Sequence, residues 1–536
     1  MELDKILLGL LVAAWVHHTV RAYLSLREFG GHWSAGWSRL WLFRTQSSGE
    51  MHRQFQELND RYGSTARIAP RMLITSDPGL VSRMNAVRSD FCRGPWYAAL
   101  QLHPDQQNIT SLVDEEAHAQ RRTRMTPGYG GKDNPNMEQD IDGLLLQFLD
   151  LINNKYLTNP TTGPCRPMDL AEKTSFLTLD VISKLAFGSP LGFLSNDKDP
   201  YGYMANLEQM LPAVIVFGVF TELTWLLKLP FIKPFLPSSS DKRGLGSVMG
   251  FASGRVAERF AASPDGKPRL QRRDMISSFI HHGLTQPQLE AETLTQITAG
   301  SDSTASALRL TVHHVSTCPP VLERLLNELR AGIGESRISR PVIRDEEARK
   351  LPYLQACIKE SLRMYPPVTG LMAKQVPAGG ATLRVDRVDK FAPGGTQIAW
   401  NPWGMMRRKE IFGEDCEIFR PERWLPLSAG EEGADRIQRM SETVGLCFGA
   451  GRFGCLGRGV AVMELNKAVP EMLIRYNFQP CDLVRPFDQL AVGFYLHRNM
   501  QVVVTERDGS GEDAGRSDVR AYSGMDAGSL LGAPEE

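Results

Sequence analysis

The stretch Phe448-Gly449-Ala450-Gly451-Arg452-Phe453-Gly454-Cys455-Leu456-Gly457 constrains this chain most. One cysteine lies among closely spaced glycines. Glycine lacks a Cβ, so such a loop can wrap tightly and let a flat ligand approach its backbone. From Val460 to about Tyr476 the apolar spacing is helical. Cys455 therefore faces free N–H groups at a helix N-terminus, where donors and helix dipole favour thiolate over thiol. A single thiolate in a glycine cradle suits an axial ligand to haem iron. A phosphate-type nest or a plain turn uses the same glycines, and a lone cysteine is most often a small buried hydrophobe.

Three further motifs narrow these alternatives. Glu360 and Arg363, at i and i+3, share one helix face. The largely apolar segment Leu351–Ile358 before them makes that helix look buried. A buried pair needs further hydrogen bonds to offset desolvation. Phe419-Arg420-Pro421-Glu422-Arg423-Trp424 supplies Arg423, whose planar fork can complete a Glu–Arg–Arg cluster. The third motif, Ala299-Gly300-Ser301-Asp302-Ser303-Thr304, sits in the middle of a long helical pattern. That pattern opens on a capping box, Thr285 and Gln288, and stops at Cys318-Pro319-Pro320. At ~1.5 Å per residue it spans about 48 Å. Small and hydroxyl residues cluster at its middle, where they can bond preceding carbonyls and bend the helix. The patch is read either as a groove for oxygen beside an acid and hydroxyls or as a close helix crossing.

Together, in this order and spacing, the four motifs resemble the cytochrome P450 family of haem-thiolate monooxygenases. The resemblance covers roughly residues 40 to 505. His118-Ala119-Gln120-Arg121-Arg122 is similar to the family's helix C, and Phe412-Gly413-Glu414-Asp415 to the stretch before its Pro-Glu-Arg motif. Tyr129–Pro135 and Met463–Lys467 carry a narrower likeness to the microsomal fungal branch that includes pisatin demethylase. The resemblance implies a mainly α (α+β) fold, a helix-rich triangular domain with small edge sheets. It implies haem b held by Cys455 within the loop of Phe448 and Gly449. Asp302 and Ser303, with Thr304 beside them, would pass protons for O₂ activation. Glu360, Arg363 and Arg423 would be structural. Electrons would come from NADPH through a reductase, with cytochrome b5 as a further partner, and the substrate would be a hydrophobic small molecule, a fungal secondary metabolite. By family position the pocket is lined from Trp96–Leu112, Gln296–Gly300, Val368–Met372 and Val492–Tyr495. A peroxide-using enzyme, one rearranging an oxygenated lipid, a haem carrier and a haem-free structural protein are the rivals.

The chain departs from the family at two propionate contacts. Phe453 stands where an arginine is usual, with Arg452 before it, and Lys374 replaces the arginine eight after Pro366. Lysine meets a carboxylate as a point charge, not bidentately. Arg122, Lys374 and Arg452 are the candidates left. Ser303 stands at the family's threonine and lacks the methyl that restrains χ1.

Lys+Arg and Asp+Glu balance at 61 each, which gives no hint of nucleic acid. Basic clusters such as Arg272-Arg273 and Arg407-Arg408-Lys409 read as solvated faces. Arg121, Arg124 and Arg458 are candidates for steering an acidic reductase. Eight cysteines without a CxxC suggest reduced thiols in the cytosol. Cys447 and Cys455 lack the nearby His or Cys that would complete a zinc set. The apolar run from Ile6, extended to Leu26, reads as an uncleaved anchor (residues 1–26). Glu2 and Asp4 make a poor signal-peptide start, and Arg21 and Arg27 favour a cytosolic C-terminal side. The expected location is thus the endoplasmic reticulum membrane. Gly30-Gly31 and Gly36 are read as a hinge after the anchor. Met210–Leu236 is a second apolar region whose charges and prolines argue against a span; it reads as entrance helices or as core. Residues 506–536 read as a disordered tail. Strands are expected at Thr65–Ala69, Met72–Thr75, Gln397–Trp400 and Met500–Val504.

Overall fold

The computed structural model describes residues 2–103, 105–159, 163–261, 274–426 and 431–507. Arg272-Arg273 and the tail from Asp508 lie outside the described residues. Glu506 belongs to the last strand rather than to a tail.

The long helix runs Gln286–Ser316, 31 residues and about 46 Å. Its capping box forms, with the Thr285 N–H donating to Gln288 Oε1 at 3.2 Å. It crosses Leu170–Phe187, a helix buried on nearly every face. Gly300 is the point of closest approach: a Cβ there would lie 2.8 Å from Ile182. Thr178 Oγ1 donates to the Ser301 carbonyl at 3.0 Å across the same crossing. The small-residue patch therefore serves helix packing at Gly300 and Ser301. A side chain at Gly300 would point at Ile182. Helices Arg458–Arg475, Pro352–Met364 and Gly244–Phe260 pack around the long helix.

The sheets are small, and the strands Tyr476–Pro480 and Tyr495–Arg498 pack against the long helix. One has the order Thr65–Ala69, Met72–Thr75, Gln397–Trp400, Lys374–Gln375, Cys92–Arg93. Its Met72–Thr75 and Gln397–Trp400 strands run parallel, Met72 opposite Gln397. Its far edge pairs Arg93 with Lys374 in antiparallel register. A second sheet orders Met168–Asp169, Gln501–Glu506 and Tyr476–Pro480. Two hairpins, Ala381–Val385 with Val388–Ala392 and Asp488–Ala491 with Tyr495–Arg498, were not foreseen. The result is the helix-rich α+β class.

At the N-terminus a helix spans Glu2–Ser25, and Asp4–Ser25 is long and apolar enough to cross a membrane. The glycines after it are not a hinge. A Cβ on Gly31 would sit 2.3 Å from the Arg67 carbonyl, and one on Gly36 would sit 2.6 Å from Tyr23. Tyr23 stacks on Trp37 at 4.3 Å, and the Arg67 guanidinium lies 4.8 Å from the Tyr23 ring centroid while donating to the Tyr23 carbonyl. These glycines permit close packing that fastens the helix end to the first sheet. The second apolar region forms the helix Tyr203–Val219, which buries Leu211, Ile215 and Val219, and then turns that leave Trp225, Phe231 and Phe235 57%, 65% and 85% exposed. It is a surface element with one buried face, not core.

Glu360 and Arg363 are fully buried, and Arg423 nearly so. Arg363 pairs bidentately with Glu360 at 2.9 Å for both contacts. Arg423 Nε, the Arg420 N–H and Trp424 Nε1 each donate to the same carboxylate at 2.9 Å. The remaining guanidinium N–H groups reach the carbonyls of Met406, Phe412, Asp415, Cys416 and Ile418. A single buried carboxylate thus ties one helix to a whole connecting segment. Removing it strands two buried guanidinium ions, a loss of about 3–5 kcal/mol. Glu360→Ala should give little soluble protein, and what folds should melt far below the parent by circular dichroism; an unchanged melting temperature would contradict this role.

Candidate functional site

The loop at Cys455 is shaped by backbone contacts. The Cys455 N–H donates to the Phe448 carbonyl at 2.7 Å, closing the turn. Gly449 has φ +69°, and a Cβ there would lie 2.9 Å from the Phe453 carbonyl. Gly451 has φ +54°, and a Cβ would meet the Asn85 carbonyl at 2.1 Å. Both positions exclude side chains on conformation and on space. The helix Arg458–Arg475 begins directly after Gly457. The backbone N–H groups of Gly457 and Arg458 point at the sulfur, and the charges of Arg122 and Arg458 act with them. Cys455 is exposed by surface area, yet protein crowds it on most sides. That crowding wins: burial pushes the thiol up despite the donors. The helix-terminus donors and the burial thus act on the sulfur in opposite directions. A bound metal ion is what deprotonates such a sulfur outright.

Phe453 stands at the centre of a basic nest. Lys374 Nζ lies 2.9 Å from its ring centroid, Arg452 4.9 Å and Arg93 5.2 Å. The His118 ring is 5.4 Å away. Arg122 Nη1 donates to the Gly454 carbonyl next door at 2.6 Å. Arg93 and Lys374 are directly opposed across the sheet edge, where like charges repel. Lys374 Nζ is buried with no hydrogen-bond partner. Burial, and then Arg93, push Lys374 down to about 6. Burial, Arg93, Arg122, Lys374 and Arg452 push His118 down to about 3. Glu115 is the carboxylate at this cluster: it accepts from the Arg93 N–H at 2.9 Å and lies 3.4 Å from Arg452 Nε. Positive charge remains in excess. An orphaned buried lysine nitrogen, ready to take up a proton when an anion approaches, beside two or three guanidinium groups fits the carboxylates of a haem, and the glycine loop fits its face. Arg452 is otherwise engaged, donating to the Phe91 carbonyl at 2.9 Å, so it offers charge rather than a free fork.

At the middle of the long helix Ser303 Oγ donates back to the Ala299 carbonyl at 2.7 Å. Asp302, one residue earlier and so about 100° around the helix, instead lines a polar cavity of about 330 Å³ with Glu208, Arg309, His497 and Arg498. Burial pushes the Asp302 carboxyl up, while Arg309 pulls it down. Arg309 is itself buried, donating to the Ala171 carbonyl at 2.8 Å and to His497 Nδ1 at 3.2 Å. Thr304 is buried. No side-chain hydrogen bond joins Asp302, Ser303 and Thr304 among the described residues.

Three of the four expected pocket segments converge, those of Trp96–Leu112, Val368–Met372 and Val492–Tyr495. The Thr369 N–H donates to the Gly493 carbonyl at 2.8 Å, and Val368 bridges Phe494. Trp96, Tyr97, Leu211, Ile215, Val219, Leu371 and Val492 share one apolar cluster. Arg121, expected on an exposed basic face, turns inward to Glu292 at 2.6 Å, while Arg124 and Arg458 are exposed. Arg93, His118 and Glu292 are the residues of this region to which sequence reading gave no role.

A helix-rich fold with a cysteine in a glycine loop before a helix, a buried Glu–Arg–Arg cluster and a long helix closely crossed at its centre defines a haem-thiolate class of protein. The cytochrome P450 family model matches residues 33–501, and the chain belongs to that family. It is 38% identical over 481 residues to cytochrome P450 monooxygenase aba1 of Botryotinia fuckeliana, covering 89% of this chain and 91% of that one. It is 38% identical over 492 residues to cytochrome P450 monooxygenase ABA1 of Pyricularia oryzae, covering 90% and 93%. Cytochrome P450 monooxygenase pkfB of Emericella nidulans is 30% identical over 524 residues, covering 95% and 97%. The chain is accordingly an oxidoreductase of the monooxygenase kind.

Lys374 binds its proton less tightly folded than unfolded. Its folded value of about 6 lies below the ordinary 10.5, so the haem-free chain should gain stability as pH rises between those two values. Lys374→Met should flatten that gain and, in haem-loaded preparations, lower the haem-to-protein ratio. Thermal unfolding across pH and pyridine haemochrome assay read the two effects. A gain with pH that survives the substitution would contradict the assignment.

Proposed function

We propose that this chain is a membrane-anchored monooxygenase that inserts one oxygen atom from O₂ into a hydrophobic small molecule, a fungal secondary metabolite. Its catalytic domain spans about residues 40–505 on the cytosolic side of the endoplasmic reticulum, behind an anchor at residues 1–26. Electrons come from NADPH through a reductase, with cytochrome b5 as a further donor. The observation that carries this reading is the Cys455 loop set beside the cationic nest around Phe453. The fungal relatives support the metabolite class. The apolar helix near the N-terminus, with Trp225, Phe231 and Phe235 exposed, supports the membrane.

Haem b, when bound, supplies oxygen activation through its iron. The chain's own residues do the rest. Cys455 would ligate the iron from the turn that Phe448 and Gly449 shape. Arg122 and Lys374, joined by Arg93 and with Arg452 adding charge, would neutralise the haem carboxylates. Glu360, Arg363 and Arg423 hold the segment below. The apolar cluster of Trp96, Leu211, Leu371 and Val492 gathers substrate and keeps water out. Asp302 takes protons from the polar cavity it shares with Arg309 and Glu208, and Ser303 and Thr304 hand them inward. Arg124 and Arg458 remain exposed to steer an acidic reductase.

The test is NADPH-dependent turnover with purified reductase, compared with peroxide-driven turnover. Turnover only with peroxide would overturn the reading. Ser303 has no γ-methyl to restrain χ1, so its hydroxyl samples more than the Ala299 bond. Ser303→Thr should raise the product formed per NADPH consumed by roughly twofold or more, an effect of ~0.4 kcal/mol or above. Coupling that stays the same or falls would remove Ser303 from the relay.

A further inference from the structure

The segment from Gln107 to Leu112 is held by buried charges of opposite sign. Asn108 Oδ1 first organises it, accepting the N–H groups of Thr110 at 2.9 Å and Ser111 at 2.8 Å and the Thr110 hydroxyl at 2.5 Å. The two peptide groups of Ile109 then face opposite ions. Its N–H donates to Glu292 Oε2 at 3.1 Å. Its carbonyl accepts from Arg93 Nη1 at 2.6 Å. The same nitrogen reaches the carbonyls of Leu112 at 2.9 Å and Thr110 at 3.3 Å. Arg121 Nη1 closes the arrangement, donating to Glu292 Oε1 at 2.6 Å and to the Gln107 carbonyl at 3.3 Å.

Glu292 is wholly buried and Arg93 nearly so. Burial pushes the Glu292 carboxyl up to about 7, against the pull of Arg121, the Ile109 N–H and Arg93. A buried ion of this kind is unfavourable unless every partner is in place. Its position is informative. Glu292, Gln296, Ala299 and Ser303 are spaced four, three and four residues apart, so they fall on one stripe of the long helix. Glu292 stands about 16.5 Å ahead of Ser303 along that stripe. Arg93 in turn touches Tyr97 at 4.7 Å and Phe453 at 5.2 Å. The Ile109 backbone is therefore fixed to the long helix on one side and to the nest beside the Cys455 loop on the other.

We propose that Glu292 is a positioning residue that, opposite Arg93, clamps the Ile109 backbone and makes Asn108–Leu112 a rigid wall of the substrate pocket, so that Ile109 and Leu112 select substrate shape. This rests on the oxygenase reading, which gives the pocket its substrate. Glu292→Ala removes the acceptor of the Ile109 N–H and the partner of Arg121, and replaces neither Cys455 nor any residue of the nest around Phe453.

The experiment uses the full-length, haem-loaded protein. Hydrogen–deuterium exchange is followed over Gln107–Val113, with the hairpin Ala381–Ala392 as internal control. Imidazole and 4-phenylimidazole, which differ by one phenyl group, probe the pocket through the Soret shift. In Glu292→Ala, exchange over Gln107–Val113 should rise roughly tenfold, the fold-change expected for losing one hydrogen bond to a charged group. The ratio of the two dissociation constants should change several-fold, and haem content should not. Glu292→Gln, which keeps an acceptor for the Ile109 N–H, should fall between parent and alanine variant. If Glu292→Ala does not fold, Arg121→Gln opens the same latch from the neighbouring helix and is read the same way. Unchanged exchange over the segment, or an unchanged ratio, overturns the clamp. A parent protein that binds neither azole overturns the haem reading instead, so the two failures are distinct.

Discussion

The buried carboxylate of Glu360 is the constraint on which the rest depends. It gathers two guanidinium groups, a backbone N–H and an indole N–H, each at 2.9 Å. Few arrangements satisfy so many donors in a water-free interior, and any displacement leaves a charge unpaired. The helix Pro352–Met364 is thereby locked to the segment from Met406 to Trp424. That lock reaches the cysteine loop, because Cys447 Sγ sits 3.7 Å from the Leu362 carbonyl, one residue before Arg363. The ion cluster fixes the floor on which the loop rests.

Above the floor, charge is left deliberately unbalanced. Arg93 and Lys374 oppose each other across a sheet edge, and Lys374 has no partner of its own. An isolated protein would pay for this in stability; a dianionic ligand relieves it. The two departures from the family pattern compensate each other spatially. Phe453, in place of an arginine, offers its ring face to Lys374, in place of another, at 2.9 Å. Arg93 brings a third cation into the same space from a separate strand. The pattern changes residue by residue, while a concentration of positive charge remains.

Much of this was legible in the chain itself. The long helix declared both ends through Thr285, Gln288 and Pro319, because capping and proline act locally. Glu360, Arg363 and Arg423 could be matched because their helix is otherwise apolar. Arg93, His118 and Glu292 were not legible. Each is a single polar residue whose partners lie in distant segments, as in the pairing of Arg121 with Glu292. The available signal was weak: Glu292 lies among Leu289, Leu294 and Ile297 in sequence, but only two residues from Leu294 it falls on the opposite side of the helix, where an acid reads as solvated. The two hairpins escaped because their strands are only four or five residues long, and one of them, Val388–Ala392, is largely solvated. Gly31 and Gly36 were misread because flexibility and close packing both favour glycine, and only the positions of Arg67 and Tyr23 decide between them. At Cys455 the donors were visible from sequence, whereas the opposing desolvation exists only in the folded protein.

Whether the sulfur of Cys455 is the iron ligand is settled most directly by the carbon monoxide difference spectrum of the reduced, purified protein, parent against Cys455→His. With Cys455 as ligand, the parent shows the long-wavelength Soret band of thiolate-ligated haem, and the histidine variant shows the shorter-wavelength band of imidazole ligation. A Cys455→His protein that retains the parent's band would contradict it.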